Sequence, residues 1–164
     1  MQETYYPLFS EILDKVHKAK TKTQKVELLR KYKTDSLKMF LKAAFDPKIE
    51  WVFPAGEVPY TPNDSPAGTD HTLLIQESKK LWRFIKGADN VTRQAQKENM
   101  FFQMLEGLHE SEAKLLINAK DKKLHQIYKG LSSNVVREAF GWNEDFKVDE
   151  YPQAGRSASG LVAG

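Results

Sequence analysis

The sequence predicts an all-α fold: a single multi-helix domain of about seven helices, interrupted by one irregular proline-rich insertion. Three observations carry this. Leu37, Phe40, Leu41, Ala44 and Phe45 fall at i, i+3, i+4, i+7 and i+8, one apolar face of a helix. Helix-start signals recur just ahead of apolar stripes, as at Thr21 with Gln24 and at Ser132–Ser133. No two alternating runs make a hairpin, and only Glu50–Phe53 reads as a short extended piece.

The elements follow in order. Pro7 suits the first turn of an opening helix whose inner face is Leu8, Ile12, Leu13 and Val16. Thr21 and Gln24 form a capping box for a second helix carrying Val26, Leu29 and Tyr32. Asp35 or Ser36 begins the third, which Pro47 ends. Residues 46–69 hold five of the seven prolines and read as an ordered loop pinned by Trp51 and Phe53, with a mobile tip at Asn63–Gly68. Thr69 or Asp70 caps a long fourth helix through Leu74, Leu81 and Ile85, closed by Gly87. Thr92 caps a fifth bearing Phe101, Met104, Leu105 and Leu108. Ser111 caps a sixth, with Glu112 near its positive end and Ala113, Leu116, Ile117 and Leu124 along its stripe. Gly130 permits a break, and Ser132 or Ser133 caps the last helix, with Val135, Val136, Ala139 and Phe140 inward. The helical domain spans 1–142, and 143–164 is an acidic segment and flexible tail too poor in apolar residues to order itself.

A chain of 164 residues supports one domain with a core. It has no cysteine, so disulfides and thiolate metal sites are excluded, and a reducing cytoplasmic setting is expected. No apolar run approaches a membrane span, and Met1–Lys20 has no signal-peptide core. The net charge of +3 is unevenly placed. From Asp14 to Lys42 ten Lys/Arg face three Asp/Glu, and from Lys114 to Lys129 five lysines face one aspartate. From Asn143 to Glu150 the sign reverses. If folding joins the two basic segments, one side of the molecule is cationic; otherwise they are solvated faces.

Catalytic and metal chemistry finds no footing. His17, His71, His109 and His125 never pair at i+3 or i+4, and His109-Glu110-Ser111-Glu112 lacks the second histidine of a zinc-protease helix. Asp64 and Asp70 could meet His71 in the proline-rich loop, but the two loop acids read as turn or capping residues. No phosphate-cradling glycine loop occurs, and the serines outside the tail read as caps. The aromatics read as core, with only Trp142 and Tyr151 as candidates for exposure. The expectation is a non-enzyme with no cofactor and no metal. Lysines far outnumber arginines, which suits contact with phosphates over readout of bases.

Two stretches carry a resemblance. Leu108–Phe140, LHESEAKLLINAKDKKLHQIYKGLSSNVVREAF, sets a Glu-Ala-Lys helix, a cationic elbow and a serine-capped helix ending in Ala-Phe in sequence. Thr21–Phe45, TKTQKVELLRKYKTDSLKMFLKAAF, sets a Thr-Lys-x-x-Lys type of turn before a basic helix. Together these resemble the N-terminal helical DNA-binding domain of ATP-dependent DNA ligases; the chain also looks like the small helical proteins of tailed phages. The resemblance implies sequence-independent contact with double-stranded DNA through its phosphate backbone. Matching positions are Lys120, Lys122, Lys123, Lys129, Ser132 and Ser133 at the elbow, and Lys20, Lys22, Thr23 and Lys25 at the first patch. It does not imply ligation: no Lys-x-Asp-Gly segment is present, and His125–Tyr128 replaces the family's shorter basic turn. The alternatives are a virion structural or assembly protein docking on a phage or host protein through residues 143–164, or a modulator of a host enzyme.

Overall fold

The computed structural model describes residues 7–63 and 71–148. Among these, eight α-helices and one 3-10 segment build a single all-α domain. They are α1 (Phe9–Lys18), α2 (Lys22–Lys31), α3 (Asp35–Phe45), α4 (Leu74–Glu77), the 3-10 segment Ser78–Phe84, α5 (Gln94–Gly107), α6 (Glu110–Lys120), α7 (Leu124–Ile127) and α8 (Ser133–Phe140). The α3 stripe is the centre of the core: Leu37, Phe40 and Leu41 are fully buried, and Phe40 meets the Phe9 ring at 5.6 Å. α3 packs on α6 and on the 3-10 segment, while α2 lies between α1 and α8.

Caps fix where helices begin. Thr21 accepts the Gln24 N–H at 3.1 Å, but the glutamine reaches back to the Lys20 N–H, one residue before the box position. α3 is capped by Thr34, whose hydroxyl takes the Leu37 N–H at 3.0 Å. α8 is capped by Ser132 through the Val135 N–H at 3.2 Å. The expected caps Ser111 and Thr92 are displaced. His109 Nδ1 takes the Ser111 N–H at 3.1 Å and so caps α6. Before α5, Asp89 Oδ1 accepts the N–H groups of Val91 and Thr92, at 3.0 and 3.1 Å, closing a turn that delivers the chain to its N-cap Arg93.

The long fourth helix does not form. Only Leu74–Glu77 is α-helical, and the chain then tightens into the 3-10 segment. Ser78 Oγ donates to the Leu74 carbonyl at 2.7 Å, and the buried positions beyond it are Ser78, Leu81 and Phe84, a spacing of three. The expected caps Thr69 and Asp70, the remainder of the loop tip and Tyr151 lie outside the described residues. Within the loop, Trp51 Nε1 donates to the Ala43 carbonyl at 3.0 Å, and Phe53 stacks on Phe101 with centroids 4.6 Å apart. The extended piece at Glu50–Phe53 bridges Ile85 in antiparallel fashion.

Two further features were not foreseen. Glu112 is 1% exposed, and its carboxylate accepts the Phe9 N–H and the Leu74 N–H, each at 3.0 Å. Those are the first residues of α1 and α4, and Glu112 itself stands in the first turn of α6. Three helix N-termini thus converge on one buried charge, the arrangement that best offsets its loss of water. The fold also continues past Trp142. Phe146 is buried beside Trp142, its carbonyl takes the Lys42 ammonium at 3.0 Å, and Asp145 pairs with Lys48.

Candidate nucleic-acid interface

The elbow after α6 is built by an unusual turn. Lys122 adopts φ +60°, a left-handed position that glycine normally fills at a helix end, while the Lys123 N–H returns to the Asn118 carbonyl at 2.8 Å. Its side chain explains why lysine stands there. The Lys122 ammonium donates to the carbonyls of Ala43 and Asp46, both at 2.8 Å, and so closes the C-terminal end of α3. A cation suits that negative helix end. Burial pushes the Lys122 pKa down, and the nearby Asp46 charge partly restores it.

Lys120 is held still more firmly. The residue is 5% exposed, and its ammonium donates to the Pro54 carbonyl at 2.7 Å, the Gly56 carbonyl at 3.3 Å and the Asp121 carboxylate. Asp121 in turn accepts the Gly56 N–H at 3.2 Å. The Lys120-Asp121-Lys122 segment therefore fastens the proline-rich loop and α3 to the elbow. The expectation that Lys120 and Lys122 present free cations to a phosphate backbone is corrected: their donors face backbone carbonyls inside the fold.

The other expected positions divide in two. Lys20, Lys123 and Lys129 are exposed and make no ion pair among the described residues. Thr23 is exposed, and Ser132 and Ser133 are half-buried at the start of α8. Lys22 pairs with Glu138 at 3.1 Å on the surface. The Lys25 ammonium donates to the Ala19 carbonyl, and its stem lies so close to Gly130 that a Cβ there would collide with it. That contact joins the first basic patch to the elbow across more than 100 residues of chain.

The α2–α8 interface holds the patches together. Arg30, which the sequence reading passed over, donates from Nε to the Ala139 carbonyl at 3.1 Å and from its terminal nitrogen to the Glu138 carbonyl at 3.0 Å. The signal for it was a guanidinium able to complement the last carbonyls of a neighbouring helix. Beside the elbow lies a cleft of about 750 Å³, to which the loop contributes Ile49, Trp51 and Phe53 and the elbow side contributes His125, Ser132 and Ser133. Among the described residues no group of three or more His, Cys, Asp or Glu is placed to hold a metal, and no helix is long and apolar enough to cross a membrane.

No curated protein matches the chain, and no solved structure matches it. Residues 12–126, from the buried face of α1 through the loop and its lysine fastening to α7, match the model of a family of unknown function, DUF6433, and the chain belongs to that family.

Proposed function

We propose that the protein binds duplex DNA through its phosphates, without reading sequence and without catalysis, as an accessory factor acting in the cytoplasm of the cell. One observation supports this reading above others. The two lysine-rich segments, far apart in sequence, approach each other where the Lys25 stem lies against Gly130, and α2 packs on α8 just beyond the elbow. Lys20, Lys123 and Lys129 then supply charge, Lys22 adds its own once released from Glu138, and Thr23, Ser132 and Ser133 supply hydroxyls. Lysine neutralises phosphate as a point charge and does not impose the planar fit that reads bases.

Anisotropy titrations of a labelled duplex at several salt concentrations test the reading. With about three phosphates neutralised, the slope of log affinity on log salt is near −2.7, about −0.9 per contact. Lys20→Ala with Lys129→Ala weakens binding at least tenfold and leaves the thermal midpoint in place. A flat salt response, or a tenfold preference for one duplex sequence, overturns it. The second reading, docking on a virion or other protein, is narrowed by the fold: Asp145 and Phe146 of the acidic segment already have partners within the domain. Cosedimentation with purified virions separates the two.

A further inference from the structure

We infer that Lys15, Lys31 and the Tyr32 hydroxyl form a phosphate seat at the far end of α2, which takes one backbone phosphate of the same DNA. The inference rests on the DNA-binding reading and adds residues that the elbow and the first patch do not contain.

The geometry is one of two like charges gathered at one phenol. The Lys15 ammonium lies 5.5 Å from the centre of the Tyr32 ring and the Lys31 ammonium 5.3 Å from it. Lys15 also donates to the Tyr32 hydroxyl at 3.4 Å. Neither lysine forms an ion pair among the described residues. The neighbouring acid Asp14 is engaged by Lys18 at 3.0 Å. Glu27 lines the same open depression between α1 and α2, about 580 Å³ in volume, but is paired with neither lysine. Attraction to the half-buried Tyr32 ring is weak for each cation. Two ammonium groups converging on one phenol gain more from a shared anion than from the ring alone.

The phenol itself reports that positive field. The hydrogen bond from Lys15, with the charges of Lys15 and Lys31, holds the Tyr32 pKa below its usual range. The position suits a strand as well. α2 has ten residues and is about 15 Å long, the rise of about four base pairs at 3.4 Å each. Lys20 and Lys22 stand at one end of that length and the Tyr32 seat at the other, so one duplex lying along α2 meets both.

The test follows the Tyr32 ring carbon by NMR through a pH titration, in the free protein, with inorganic phosphate, and with a duplex. A phosphate between the lysines cancels their charge, so the duplex raises the Tyr32 pKa. In parallel, Lys15→Gln with Lys31→Gln weakens duplex binding about fivefold to tenfold and lowers the salt slope by about 0.9, one phosphate. Tyr32→Phe, which keeps the ring, weakens it less. An unmoved Tyr32 in a protein that binds duplex, or a double variant with unchanged affinity and slope, overturns the seat and leaves the DNA reading standing. A shift with inorganic phosphate but not with duplex also overturns it, by assigning the seat to a free anion. A wild-type chain that binds no duplex overturns both.

Discussion

The Lys120 ammonium lies 2.7 Å from the Pro54 carbonyl, 66 residues earlier in the chain, and it is sealed from solvent there. A cation in one of the two basic stretches of the molecule therefore acts as an internal fastener. Lys120→Met keeps the apolar stem and removes the charge, leaving the Pro54 and Gly56 carbonyls without that donor and the Asp121 carboxylate with the Gly56 N–H alone. Unsatisfied buried groups cost about 1–3 kcal/mol. The expected outcome is a loss of at least 2 kcal/mol in urea denaturation. An unchanged midpoint would mean that the loop is held by Trp51 and Phe53 alone.

Phe40 tests the core. Its side chain has no exposed area and packs on Phe9. Phe40→Ala costs about 3–5 kcal/mol, the range for emptying an aromatic core site. A loss below 1 kcal/mol would show that α3 is not the central helix.

The two carboxylates with unusual surroundings give pH effects in adjoining windows. Burial pushes the Glu112 carboxyl above its ordinary value of 4.5, and the N–H groups of Leu74 and Phe9 offset only part of this. A raised folded pKa means that the native state holds the proton more tightly than the unfolded chain. Stability from this group therefore falls as the pH rises from about 4.5 through the folded value, and levels above it. Glu112→Gln removes that slope, so its gap from the wild type is widest near pH 4.5 and narrows toward neutrality. Parallel urea midpoints at the two ends of the window would refute the assignment.

Asp89 works in the opposite sense. The Thr92 hydroxyl first, then the backbone N–H groups of Thr92 and Val91, lower its pKa from 3.8 to about 2. Its contribution is complete above pH 3.8 and is lost as the pH falls from there toward 2. Asp89→Asn is less stable than the wild type at neutral pH, and the difference shrinks across that interval. Thermal melts at pH 2, 3, 4 and 7 read it directly.

How much of this was legible in the sequence follows from the range of the forces involved. The α3 stripe and the Ser132 cap are local patterns, set within one or two turns, and both are where periodicity and capping chemistry put them. The 3-10 segment was missed because Leu74, Leu81 and Ile85 do fit an α-helical stripe. The competing three-residue set Ser78, Leu81 and Phe84 includes a serine, which hides it from a search for apolar residues. The elbow was misread for a different reason. Composition shows how many lysines a segment holds, but not where their flexible stems lead. Lys120 reaches across 66 positions and Lys122 across 79 to find carbonyls, distances over which no local pattern carries information.

The carboxylate of Glu112 bears on how the chain folds. One of its partners is 103 positions away and the other 38, so both loops must close before its charge is compensated. A half-assembled intermediate that buried Glu112 with only one partner would leave a desolvated charge poorly matched. Such states are penalised, and α1, α4 and α6 are driven to dock together. The residue thereby lends all-or-none character to a molecule whose short helices would otherwise form and fray independently.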